Sequence, residues 1–228
     1  THCESSAASD VYKRQDETPG STSGLKEGES VSVKEALYGL LLPSGNDMSV
    51  ALAEHFGRRF VMSEQLKNVD ELDPVQAFVM AMNHEAKRLE MDSTTYTNPH
   101  GLSEKDHLST AGDLAKLAFT ALGNPMFADY VSTRERGVVV RGSSGYQRNV
   151  IWKNTNQLLA IQGYEGVKTG TTSKAGACLA SVCFREDRKL LLVVLGSSSS
   201  SSRYTDSRNL YRWAWLNLTG SNDEMGDH

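Results

Sequence analysis

Cysteine is scarce in this chain: three among 228 residues, at Cys3, Cys178 and Cys183. An odd number with no C-x-x-C spacing argues against both a zinc site and a disulfide scaffold. Long apolar runs are also lacking, and the longest falls far short of a membrane span. Positive charge is not in excess: 24 Lys and Arg stand against 28 Asp and Glu, a net charge of −4. That balance provides no basic field for nucleic acid, and no long basic run occurs. Proline is infrequent as well. What remains, 39% hydrophobic and 23% charged, suffices for one sizeable domain with its own core, or at most two small ones.

The first residues, THCESSAASDVYKRQ, have no initiator Met, no apolar h-region and neither helical nor strand periodicity. They resemble translated adapter or vector sequence. Residues 1–20 are therefore expected to be a non-native or disordered leader, residues 21–218 the domain, and residues 219–228, which include the polar SNDEMGDH, a disordered tail. Within the domain, Ser32 is placed to cap a helix starting at Val33, with Glu35 completing a capping box. In that helix Ala36, Leu37, Leu40 and Leu41 share one face. Further helices are expected over Asp47–Phe56, over Pro74–Leu89 with a core stripe of Phe78, Met82, Ala86 and Leu89, and from Ser109 through FTAL. RGVVVRG, GACLASVCF and KLLLVVLG read as strands punctuated by glycine. The serine run before RYTD reads as a strand-to-helix loop, and SRNLYRWAWLNL as a last helix that also encloses the Asn217 sequon. Helices first and antiparallel strands later imply an α+β fold with an all-helical lobe.

Two short stretches carry possible chemistry. Lys168-Thr169-Gly170, followed by Thr171, places an ammonium, hydroxyls and unobstructed backbone at a sheet edge, suited to a carboxylate. A P-loop is excluded, because Val167 stands where that motif requires glycine. A plain turn with a solvated lysine is the bland alternative. In LLLPSGNDMS, Ser44-Gly45-Asn46 ends an apolar run, and taken alone it reads as a helix cap before it reads as a site. Together, and in this order, the two match the second and third motifs of the serine β-lactamases and penicillin-binding proteins.

The resemblance is broader than two triplets. VSVKEALYGLLLPSGNDMSVALAEH, FVMAMNHEAKRLEM, TNPHGLSEKDHLSTAGDLAKLA and NTNQLLAIQGYEGVKTGTTSKAGACLA resemble, in order, segments of the D-alanyl-D-alanine carboxypeptidases, the low-molecular-mass penicillin-binding serine peptidases. The resemblance implies an antiparallel sheet with helices on its faces, no metal or organic cofactor, and export to the cell envelope. It implies cleavage of peptidoglycan pentapeptide stems through an acyl-serine, with β-lactam antibiotics as ligands. By the same resemblance Ser44 relays a proton, Asn46 positions the substrate, Lys168 and Thr169 bind its carboxylate, and the N–H of Thr171 is half of an oxyanion hole. His100 and His107 fall in a structural loop.

A serine acyl-transfer enzyme needs its nucleophile beside an activating base, which Ser-x-x-Lys provides on one helix face. The single formal match, Ser23-Gly24-Leu25-Lys26, is rejected: it contains glycine, sits among turn residues and lies only 21 residues before Ser44. The N-terminal strands and nucleophile helix are thus expected to be missing. Loss of that serine costs on the order of a millionfold in kcat. Loss of a central helix removes roughly 1.5–3 kcal/mol for each apolar side chain it buries. The chain is expected to be inactive and poorly folded. A non-catalytic peptidoglycan-binding homologue is the rival reading. A β-lactamase relative is the other, disfavoured because no E-x-x-L-N segment occurs.

Overall fold

The computed structural model describes residues 10–12, 18–61 and 73–220. Its elements run β1 (Asp10–Tyr12), β2 (Glu29–Ser32), α1 (Val33–Leu41), α2 (Asn46–Val61), α3 (Pro74–Arg88), α4 (Ala111–Leu122), α5 (Pro125–Ser132), β3 (Glu135–Gly142), β4 (Gln147–Lys153), a short 3-10 turn (Gln157–Ala160), β5 (Tyr164–Thr172), β6 (Gly176–Arg185), β7 (Arg188–Ser197) and α6 (Ser200–Gly220). The strands form two antiparallel sheets, one ordered β1-β2-β3-β4 and the other β5-β6-β7. This is the α+β class anticipated, with two sheets among the described residues where the sequence suggested one.

Local chemistry explains the helix starts. Ser32 Oγ accepts from Glu35 N at 3.3 Å while Glu35 Oε2 accepts from Ser32 N at 3.2 Å, the reciprocal capping box read from sequence. Asp73 caps α3, whose first residue is Pro74. The cap of α4 is Thr110, one residue later than Ser109, because the Ser109 hydroxyl is engaged with Thr94 Oγ1 at 2.9 Å. At the other end, α6 begins inside the serine run, with the Ser199 hydroxyl accepting from Ser202 N. Ser200–Ser202 are therefore helical rather than loop.

One apolar cluster joins the four-stranded sheet to α1 and α2 through Val31, Ala36, Tyr38, Leu42, Met48 and Trp152. The three-stranded sheet is covered on both faces. Val131, Val167 and Val182 pack with Leu122 and Phe127 on the helical side, whereas Cys183, Tyr211 and Trp215 pack with Leu190 and Leu192 under α6. β7 has β6 as its sole strand neighbour among the described residues. Asp10–Tyr12, set aside with the leader, pair with Ser30–Ser32, and Val11 is buried in the first cluster. Three residues are too few to show a period, so only the pairing reveals them. Residues 18–20 of that leader are described as well, whereas residues 1–9 and 13–17, and positions 221–228 of the tail, lie outside the described residues.

No helix among the described residues is long and apolar enough to cross a membrane.

Candidate active site

The apolar run of α1 ends at Leu42 and Pro43, and Ser44 turns the chain with φ +62°. That is a left-handed conformation uncommon for a non-glycine residue. The turn is packed so closely that a Cβ on Gly45 would lie 2.7 Å from Gly39 O, 2.8 Å from Asp47 Oδ1 and 2.9 Å from Ser23 N. Glycine is needed there for space. Gly45 O then accepts from Ser49 N, so α2 starts at the motif. The helix-start reading and the functional reading describe the same turn.

Across the fold, Lys168 reaches this turn from the centre of β5. Its Nζ donates to Ser44 Oγ at 2.7 Å and to Thr169 O at 2.8 Å. Burial, reinforced by the nearby charge of Arg203, lowers the lysine from 10.5 to about 8. Thr169 is buried and shares a 2.7 Å hydroxyl contact with Thr155. Nothing stands within 4 Å of where a Gly170 Cβ would be, so the strand's outer surface is open at that point. Thr171 Oγ1 accepts from Arg203 Nη1 at 3.0 Å.

Ser44, Lys168, Thr169, Gly170 and Thr171 are therefore assembled in one place. Asn46 is beside them, but its carboxamide is turned away: Nδ2 donates to Pro19 O at 2.7 Å and its backbone N to Ser21 O at 2.8 Å.

Arg203 escaped the sequence reading. It is 7% exposed, donates from Nη1 to Gly170 O, Thr171 Oγ1 and Cys178 O, and lies with Cζ 4.9 Å from the Tyr204 ring. Its Nε is buried without a hydrogen-bond partner. All of these β5 and β6 partners are 25 or more residues away in sequence, so no local pattern announces it.

Both histidines of the 97–108 loop are hydrogen-bonded within it. His107 Nδ1 accepts from Thr97 N at 3.1 Å, His100 Nδ1 accepts from Leu102 N at 3.2 Å, and burial holds His107 below its ordinary value. The loop is tied to the end of β5 by a 2.6 Å contact between Ser103 Oγ and Thr172 Oγ1. Ser23 is 3% exposed, its hydroxyl donates to Asp47 Oδ2 at 2.7 Å, and Gly24 follows with φ +74°. No helical turn links this serine to Lys26.

The α+β fold that holds this turn and strand resembles solved DD-peptidase structures. The crystal structure of a Streptomyces DD-transpeptidase matches with a TM-score of 0.83 at 28% identity, over 94% of this chain and 81% of that one. A D-alanyl-D-alanine carboxypeptidase, DacD of Francisella tularensis, matches with a TM-score of 0.74 at 27% identity, over 91% of this chain and 58% of its own.

Residues 73–199 match the D-alanyl-D-alanine carboxypeptidase family model, and the chain belongs to that family of serine peptidases. Among its relatives, DacD of Escherichia coli is 34% identical over 86% of this chain and 45% of its own length. DacF of Bacillus subtilis is 34% identical over 81% and 43%. The chain thus spans under half the length of these curated relatives.

Proposed function

We propose that this chain supplies the carboxylate-binding and proton-relay part of a D-Ala-D-Ala carboxypeptidase site acting on peptidoglycan stem peptides at the cell envelope. The observation that carries the proposal is the 2.7 Å hydrogen bond from Lys168 Nζ to Ser44 Oγ, between residues 124 apart in sequence. The peptide's terminal carboxylate docks against the Lys168 ammonium and Thr169, with Arg203 adding positive charge behind the strand. Gly170 leaves room for the peptide to lie along β5. The Thr171 N–H faces the scissile carbonyl as half of an oxyanion hole. Ser44 Oγ, already hydrogen-bonded to Lys168, passes a proton toward the leaving D-alanine. Asn46 orients the substrate once its carboxamide is released from Pro19.

Acyl transfer also requires a Ser-x-x-Lys serine, and Ser23-x-x-Lys26 is the sole formal match in the 228 residues. The chain as it stands is therefore expected to bind a D-Ala-D-Ala peptide reversibly and to leave a penicillin unopened. Incubation with a fluorescent penicillin, followed by denaturing electrophoresis, tests the second point. Stoichiometric labelling contradicts it, and a label mapped to Ser23 reverses the assignment of that residue. Perturbation of the Lys168 side-chain NMR signal by a diacetylated D-Ala-D-Ala tripeptide tests the first. Loss of that response in Lys168→Met is the expected control.

A further inference from the structure

Beneath the Ser44 turn lies a buried carboxylate with no role so far. Asp47 is 2% exposed. Its Oδ1 accepts from Ser23 N at 2.8 Å, while Oδ2 accepts from Ser23 Oγ at 2.7 Å and from Thr22 Oγ1 at 2.9 Å. The residue before it, Asn46, donates two more bonds to the same segment, at Pro19 O and Ser21 O. Trp152 Nε1 donates to Ser23 O at 2.7 Å, which fixes the segment to β4 from behind. Residues 19–23 are thus stitched along residues 46–47, and Gly45 is wedged between this seam and the carbonyl of Gly39.

Ser44 is the next residue outward, in its left-handed conformation. Nothing intrinsic to serine favours that conformation. A single residue held in it persists when its surroundings over-determine it. Here the surroundings are the Gly45 wedge on one side and the Lys168 hydrogen bond on the other.

We propose that Asp47 is a positioning residue for the Ser44–Lys168 pair: its carboxylate clamps residues 22–23 against the start of α2 and so holds the Ser44 turn facing Lys168. The clamp rests on the proposed role of that pair, yet its test needs neither turnover nor peptide. Three acceptor positions on one small buried side chain cannot be supplied by alanine, so Asp47→Ala releases the segment. Asparagine retains Oδ1 for Ser23 N, and its Nδ2 can donate to the two hydroxyl oxygens in reversed sense. Asp47→Asn therefore preserves the seam.

The readout is exchange of the Lys168 Nζ protons in the 15N-labelled chain at mildly acidic pH, with the Asn83 Nδ2 protons as internal reference. Those protons are donated to Val79 O at 3.0 Å and Tyr96 O at 2.7 Å, away from residues 19–23. Asp47→Ala is expected to speed Lys168 Nζ exchange by about tenfold, as loss of a hydrogen-bonded partner does, leaving Asn83 unchanged. Asp47→Asn is expected to stay near the parent chain. Unchanged Lys168 exchange in Asp47→Ala overturns the proposal, as does an Asp47→Asn chain exchanging as fast as Asp47→Ala. Should Asp47→Ala lose both signals through unfolding, Thr22→Val decides, because at this exposed residue it removes only the hydroxyl's bond to Asp47 and the one it accepts from Gly24 N. Faster Lys168 exchange in Thr22→Val supports the clamp, and parent-like exchange refutes it.

Discussion

At the scale of single residues, the fold alters the chemistry of Lys168. Its pKa falls from 10.5 to about 8 because burial penalises the ammonium and Arg203 adds like charge. In the unfolded chain the lysine keeps its proton to a higher pH than in the folded one. Between about 8 and 10.5 the unfolded state therefore binds more protons, and stability rises with pH through that window. Below about 8 both states are protonated, and the folded state bears the full penalty of the buried charge. Urea unfolding at a series of pH values is expected to show this rise in the parent chain and to lose it in Lys168→Met. Carboxylate binding should run the opposite way, present below about pH 8 and fading above it as the ammonium is lost.

Glu29 obeys the reverse sign. It is fully buried, takes both Nε and Nη2 of Arg148 together with the Tyr146 hydroxyl, and is held at about 2 chiefly by the Arg148 bond. Its contribution is present above the ordinary value of 4.5 and is lost as pH falls toward 2. Glu29→Ala removes the carboxylate from Arg148, which keeps its bond to Gly24 O, and is expected to cost ~1–3 kcal/mol in chemical denaturation.

At the scale of elements, α2 and α3 cross where Gly57 meets Pro74. A Cβ on Gly57 would stand 1.8 Å from Pro74 O, and a backbone oxygen cannot rotate aside. Gly57→Ala is expected to push the helices apart and lower stability by ~1–3 kcal/mol or more, measured by urea unfolding, whereas the open Gly137 should accept alanine without a clash.

Elements also differ in how plainly they were written. α1, α2 and α3 were legible because caps and 3.6-residue patterns coincide. The 147–153 strand, QRNVIWK, was not: it alternates only weakly and presents Ile151 outward at 66% exposure. Its pairing with β3, which spans Glu135 to Arg141, defines it instead. The eight-residue α5 went unread for a similar reason: at about two turns it is too short for an apolar stripe to stand out, despite Asn124 and Pro125 at its start.

At the scale of the whole molecule, apolar surface is left uncovered. Trp213 and Leu216 on α6 are 66% and 65% exposed, and Phe119 on α4 is 76% exposed. Exposed aromatic surface of this kind promotes association. Sedimentation velocity is expected to show concentration-dependent self-association of the chain, weakened in Trp213→Arg. Because Trp213 is largely in solvent, the same substitution should change unfolding free energy by no more than about 0.5 kcal/mol.

The sequence by itself determined the family segments, the helical lobe and the two triplets, because each is a local pattern of a few residues with its own chemistry. It also determined that no helix-borne Ser-x-x-Lys accompanies them. Tertiary structure alone decided that Ser44 and Lys168 share a hydrogen bond, that Asn46 faces Pro19, that Arg203 bonds to Gly170 and Thr171, and that Asp47 bonds to Thr22 and Ser23. Those facts depend on packing between residues 24 to 124 positions apart. Such separations are closed by the burial of shared apolar surface, which leaves no periodicity in the chain to read.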